Sequence, residues 1–156
     1  MDPMPNVPPN EIPRMTTLER AIAIATEAHA GQVDKAGEPY ILHALRVMLA
    51  VETTEERMAA VLHDVVEDTD WTIEGLREEG FSNEVLGAIQ SVTKQDGETY
   101  QEFVRRAAIH PIGKAVKIAD LLDNAALSRI PEPTDADRRR LARYRDALVV
   151  LGVKSE

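Results

Sequence analysis

The stretch Met58-Ala-Ala-Val-Leu-His-Asp-Val-Val-Glu-Asp68 constrains the fold more than any other part of this chain. Met58, Val61, Leu62 and Val65 stand at i, i+3, i+4 and i+7, the spacing of a helical face packed in a core. His63, Asp64, Glu67 and Asp68 put four ionisable groups into the same stretch. A core helix carries such a cluster only where a metal, mutual pairing or solvent satisfies it. On a continuous helix His63 stacks over Glu67 and Asp64 over Asp68, giving a polar patch about one turn long.

The rest of the chain also reads as helices. Thr16/Glu19, Thr53/Glu56 and Thr99/Glu102 fit the capping pattern in which a Thr hydroxyl and an acid three residues on satisfy free amides at a helix start. Thr134/Asp137 is a weaker version of it. The spacing predicts helices over about 17–30, 40–51, 54–67, 72–79, 83–93, 99–109, 112–128 and 135–151. Gly31, Gly37, Gly80, Gly97 and the Ile130-Pro-Glu-Pro133 segment supply the breaks. No strand alternation or internal repeat competes with this pattern. The expected fold is all-α, a single globular helical bundle over residues 16–156. Residues 1–15 hold five prolines and little apolar periodicity, and are expected to form a flexible arm.

Composition narrows the function classes. A chain of 156 residues is long enough to bury a real core as one domain. It has no cysteine, which excludes a disulfide scaffold, a thiolate metal site and a cysteine nucleophile. The formal charge of −9 argues against nucleic acid as a partner, because that requires a strong basic field. No apolar run approaches the roughly 20 residues that span a bilayer, and the N-terminus lacks the basic flank and apolar core of a signal peptide. A cytoplasmic protein without a membrane partner is expected. Surface helices such as 72–79 leave a homo-oligomer open.

Four groups could bind a divalent metal: His43, His63, Asp64 and Asp120. Each lies in an otherwise apolar helical segment, and together they come from three helices, as ligands surrounding an ion must. Two imidazoles with two carboxylates suit Mn²⁺, Fe²⁺ or Zn²⁺ better than Ca²⁺. Adjacent His63 and Asp64 are about 100° apart on a helix but can still converge on one ion. Such a metal would acidify a bound water and polarise a phosphoryl oxygen. Glu67 and Asp68, one turn further on, can orient or deprotonate that water. Asn124 can donate to substrate or brace the site, and Lys117 can neutralise a phosphate or pair with a carboxylate. His29 and His110 have routine structural readings, as packed or capping residues.

Five blocks resemble a known family: Ala28-His-Ala-Gly-Gln32, Gly37-Glu-Pro-Tyr-Ile-Leu-His43, Leu62-His-Asp-Val-Val-Glu-Asp-Thr69, Val92-Thr93, and Val116-Lys-Ile-Ala-Asp120 with Asn124. From about Ala21 to Leu148 the chain resembles the HD-domain metal-dependent phosphohydrolases. Within them it is most similar to the RelA/SpoT hydrolase domain and the small alarmone hydrolases of the metazoan SpoT homologue type. The resemblance implies that His43, His63, Asp64 and Asp120 hold a metal, usually Mn²⁺, and that Glu67 and Asp68 act on the attacking water. It implies nucleotide or phosphate contacts at Lys35, Asn124, Arg140 and Tyr144. The implied reaction removes the 3′-pyrophosphate of guanosine 3′,5′-bis(diphosphate), ppGpp: a metal-activated water attacks phosphorus and the ribose oxygen leaves.

Two departures touch substrate recognition and leave the metal residues alone. Val33-Asp-Lys35 stands where the family commonly has two adjacent cations, so Asp34 replaces a base-stacking arginine. Asn124-Ala-Ala126 stands where it commonly has Asn-Leu-Arg. Lys94, Arg105, Arg106 and Lys114 are available as replacement cations. An HD hydrolase of another nucleotide phosphate, or a metal-binding regulatory module without turnover, are the alternative expectations.

Overall fold

Seven of the nine described helices start on a hydroxyl or an imidazole cap. In the computed structural model, which describes residues 16–126 and 132–153, Thr17 accepts the Arg20 amide and opens α1 (Leu18–Ala28). The cap is therefore Thr17 rather than Thr16. α2 (Ile41–Leu49) follows the loop closed by a single antiparallel bridge between Val33 and Pro39. A complete Thr53/Glu56 capping box opens α3 (Thr54–Leu62). α4 (Val65–Asp68), α5 (Ile73–Glu78), α6 (Asn83–Ser91) and α7 (Tyr100–Ile109) come next, with Thr72, Ser82 and Thr99 capping the last three. His110 caps α8 (Pro111–Asn124) by accepting the Gly113 amide, with Pro111 at the first helical position, where its missing N–H costs nothing. The Thr134/Asp137 pair, weaker by residue type, forms a full capping box at the start of α9 (Asp135–Val150). These nine helices account for the regular structure of the described residues, and the chain is all-α.

The expected helix over 54–67 is interrupted. α3 ends at Leu62, His63 caps it, and Asp64 sits in the junction with φ −102° and ψ −1° before α4 begins. The turn from His63 to Glu67 is therefore interrupted, whereas the Asp68 N–H still bonds to the Asp64 carbonyl at 2.9 Å. The expected 112–128 helix starts one residue earlier and ends at Asn124; its last residues and the proline-rich arm lie outside the described residues.

α3 is the middle of the assembly and packs against α1, α2, α6 and α8. Ala59, Ala60, Val61 and Leu62 are wholly buried there. The crossing of α6 and α8 depends on Gly113: a Cβ at that position would sit 1.9 Å from Ser91 Oγ. A second apolar cluster joins Val104, Leu121, Ala147, Leu148 and Leu151, tying α9 to α7 and α8. None of the described helices is long and apolar enough to cross a membrane.

Candidate metal centre and adjoining cavity

The packing of α2, α3 and α8 brings His43, His63, Asp64 and Asp120 together. Each offers one donor atom, and these atoms lie within 4.8 Å of one another. His43 sits in the first turn of α2, His63 and Asp64 at the α3–α4 break, and Asp120 on α8. Asp120 Oδ1 is 3.0 Å from His43 Nε2 and 3.3 Å from His63 Nε2. His63 Nε2 is also 2.9 Å from Asp64 Oδ2.

The other ring nitrogens fix the tautomers. His63 Nδ1 is 2.6 Å from the Ala60 carbonyl, which can only accept, so Nδ1 carries a proton. His43 Nδ1 is 2.6 Å from Asp123 Oδ2 and donates to that carboxylate. Both Nε2 atoms are left facing the carboxylates of Asp64 and Asp120. An imidazole with one nitrogen donating to a carboxylate or carbonyl and the other turned inward is the usual arrangement around a bound metal. The donor set fits a divalent cation of the Mn²⁺, Fe²⁺ or Zn²⁺ kind.

Electrostatics describe the same demand for positive charge. Burial alone would push His63 down, but the charges of Asp64 and Asp120 outweigh it and raise its pKa well above the ordinary value. Burial would raise Asp120, yet His63 and Lys117 hold it well below the usual carboxylate range. Asp64 is lowered too, with His63 outweighing its burial. A dication held there would take the place of a proton on His63 Nε2, so metal binding is coupled to deprotonation.

Around the four residues, the side chains are engaged in holding them. Tyr40 donates its hydroxyl to Asp64 Oδ2. Burial and the Asp64 charge raise the Tyr40 pKa, so the phenol remains a donor. Asn124 Nδ2 donates to Asp120 Oδ1 at 3.0 Å, and so braces the site. Lys117 is buried, lies 4.5 Å above the Phe103 ring and donates to Asp120 Oδ2 at 3.3 Å; it pairs with a carboxylate. Asp123 links His43 to Arg46, whose Nε and Nη2 reach it at 2.7 and 3.2 Å. Sequence reasoning assigned no role to Tyr40, Arg46 or Asp123. Helical spacing held the signal: Tyr40 and Arg46 flank His43 at three residues, and Asp123 follows Asp120 at three.

Glu67 and Asp68 lie on α4, beside the cluster and exposed at the surface. Partial burial raises both carboxyls above their ordinary values, and the Asp64 charge adds to it. Glu67 Oε1 accepts the Lys94 backbone N–H at 3.2 Å. His29 is packed as a structural residue at the end of α1, its Nδ1 2.8 Å from Gln32 Oε1.

A cavity of about 370 Å³ adjoins His43. Lys35, Asn124, Arg140 and Tyr144 all line it, as do Asp34 and Ala126. The Asp34 carboxylate folds back on its own loop and accepts the Ala36 and Glu38 amides at 2.9 and 3.0 Å. Arg140 is bonded to Asp137. Among the described residues, Lys94, Arg105, Arg106 and Lys114 are absent from the cavity wall. Arg106 binds the backbone carbonyls of Gln90, in α6, and Thr93, in the loop after it.

The chain is similar to known proteins in sequence and in fold. A family model described as HD domain matches residues 21–112. The probable GTP pyrophosphokinase of Mycobacterium leprae is 35% identical over 139 residues, 80% of this chain and 17% of that protein. The guanosine-3′,5′-bis(diphosphate) 3′-pyrophosphohydrolase of Aquifex aeolicus is 36% identical over 119 residues, 69% of this chain and 17% of that protein. The chain thus spans about a sixth of the length of these curated relatives. A solved structure described as a metazoan ortholog of SpoT that hydrolyses ppGpp superposes with a TM-score of 0.74 at 27% identity, covering 86% of this chain and 84% of that one. The residues matched by the model carry His43, His63 and Asp64, and they include the broken α3–α4 segment. The chain belongs to the HD-domain family.

Proposed function

We propose that this chain is a divalent-metal-dependent phosphohydrolase that removes the 3′-pyrophosphate from ppGpp, with Mn²⁺ as its ion. One observation carries the reading: four donor atoms of His43, His63, Asp64 and Asp120 converge within 4.8 Å, beside two carboxyls with raised pKa. When bound, the metal supplies positive charge that acidifies water and polarises the phosphoryl group.

The chain's own residues would do the rest. Asp123 and the Ala60 carbonyl keep both imidazoles in the tautomer that presents Nε2. Tyr40, Asn124 and Lys117 hold the two carboxylates in place. Glu67 and Asp68 are assigned to the attacking water. A carboxyl raised by partial burial is a stronger base once ionised, and so better suited to accept a proton. Lys35, Asn124, Arg140 and Tyr144 are assigned to the nucleotide, because they line the cavity that opens beside His43. The name of the Aquifex aeolicus relative and the activity of the metazoan neighbour support pyrophosphate release from ppGpp.

A second reading is favoured by the charge balance of the cavity. Arg46 is engaged by Asp123 and Arg140 by Asp137, while Asp34 adds a negative wall. That suits a nucleotide with fewer phosphates. The test is incubation of the Mn²⁺-loaded protein with ppGpp and a panel of other nucleotides. Pyrophosphate release from ppGpp supports the first reading, and orthophosphate from another nucleotide supports the second. Bound metal without any turnover would leave a regulatory module.

A further inference from the structure

Arg106 lies on α7, away from the cavity, yet its guanidinium is among the most heavily bonded groups in the molecule. Nη1 donates to the Gln90 carbonyl at 2.8 Å and Nη2 to the Thr93 carbonyl at 2.6 Å. Nε and Nη2 also reach the two Glu98 oxygens at 2.8 and 3.1 Å. Four of its five N–H donors are thus used in tying α7 to the end of α6 and to the loop between them. Glu98 completes the closure by accepting the Gln95 amide at 3.0 Å, and Gly97 turns the loop with a φ of 77° that a side chain would resist.

The Thr93 carbonyl and the Lys94 N–H belong to one peptide group. That group is planar and trans, so its oxygen and hydrogen point in opposite directions. Arg106 holds the oxygen, and the hydrogen points at Glu67 Oε1, 3.2 Å from the Lys94 nitrogen. A donor on the oxygen also polarises the amide and strengthens the bond its hydrogen makes. We infer that Arg106 is a positioning residue: through the Thr93–Lys94 peptide plane it aims the backbone N–H that orients the Glu67 carboxylate toward the attacking water. The inference rests on the hydrolytic role proposed for Glu67.

The residue types fit the task. A lysine could satisfy one carbonyl but could not bridge Gln90, Thr93 and Glu98 as a planar fork does. The charge of Arg106 is spent on Glu98, whose carboxyl is held down to about 2 chiefly by this hydrogen bond. It therefore adds little field at the metal centre, and its effect passes through geometry.

The experiment compares Arg106→Met and Arg106→Lys with the Mn²⁺-loaded wild type. The expected result is a kcat lower by about tenfold to a hundredfold, the range for a misplaced catalytic group. KM for ppGpp and the bound metal should not change, and Arg106→Lys should recover little. In the double variant with Glu67→Gln the Arg106 change should cost nothing further, because the group it orients is gone. Wild-type kcat in a folded Arg106 variant, or losses that multiply in the double variant, would overturn the inference. Hydrogen exchange at the Lys94 amide gives a readout independent of turnover. Its protection should drop about tenfold or more in either variant, and retained protection overturns the clamp. If wild-type protein releases no pyrophosphate, the hydrolytic reading has failed, and the Lys94 amide still decides whether the clamp exists.

Discussion

The metal centre and the cavity beside it are built on opposite plans. At the centre the polar atoms are buried and locked: His43 and His63 each spend one nitrogen on a fixed partner, and Tyr40, Asn124 and Lys117 hold the carboxylates. In the cavity Lys35 is exposed, and two arginines face carboxylates from the protein itself. Locked groups suit a task in which the reacting atoms must sit within a fraction of an ångström. Exposed groups with exchangeable ion pairs suit binding, where each contact contributes modestly. Changes at the centre should therefore abolish chemistry, and changes in the cavity should shift affinity.

The largest effect tests the centre outright. Asp64→Ala or His63→Ala removes one donor and leaves its neighbours as uncompensated buried groups. Bound metal, measured by elemental analysis, and turnover should both vanish. A variant that retains both would break the assignment of the four residues. Glu67→Gln comes next. The amide preserves size and can still accept the Lys94 N–H, but it cannot take a proton. Metal content and fold should be unchanged while kcat drops about 10²-fold or more, the usual loss for a missing general base. Normal turnover would remove Glu67 from the chemistry.

Asp123→Asn separates holding from binding. Asp123 holds the outer nitrogen of His43 without being one of the four converging residues, and it also lines the cavity. If it works as a support for the imidazole, Mn²⁺ affinity should drop about 10–100-fold, as for other residues behind metal ligands. Turnover at saturating metal should then largely return. An unchanged metal Kd with a changed KM would instead assign Asp123 to the cavity.

Much of this was legible because helices impose simple periods. The apolar spacing around Val61 and Leu62 marked the central helix, and the ionisable groups standing in it marked the chemistry. The convergence of His43 and Asp120 on His63 and Asp64 followed from the cost of burying charge. The break at Asp64 was not legible, since Val65 continues the apolar repeat and no Gly or Pro announces the junction. Tyr40 and Asp123 escaped because their importance lies in a partner on another helix, which spacing within one helix cannot reveal. Asp34 showed the converse problem. As a residue type it read as a repulsive substitute for a cation, but its carboxylate also fixes its own loop through the Ala36 and Glu38 amides.

That double role makes Asp34 the finest probe of the difference between the two regions. Asp34→Asn keeps an oxygen that can accept the Ala36 and Glu38 amides, so the loop should hold its shape. The charge is lost, and a polyanionic nucleotide in the cavity no longer meets a carboxylate on the wall. Two unit charges near a protein surface interact by roughly 1 kcal/mol or less once they are some 10 Å apart and exposed to water. KM for ppGpp should therefore drop about threefold. Because the Debye length is about 8 Å at physiological ionic strength, the gain should shrink as salt is added. Metal affinity and kcat should not move, since Asp34 makes no contact with the four clustered residues. A change in kcat or in metal content would mean that the cavity wall and the centre are mechanically joined, and the separation drawn between them would be wrong. A change confined to KM and erased by salt would show the wall acting through charge alone.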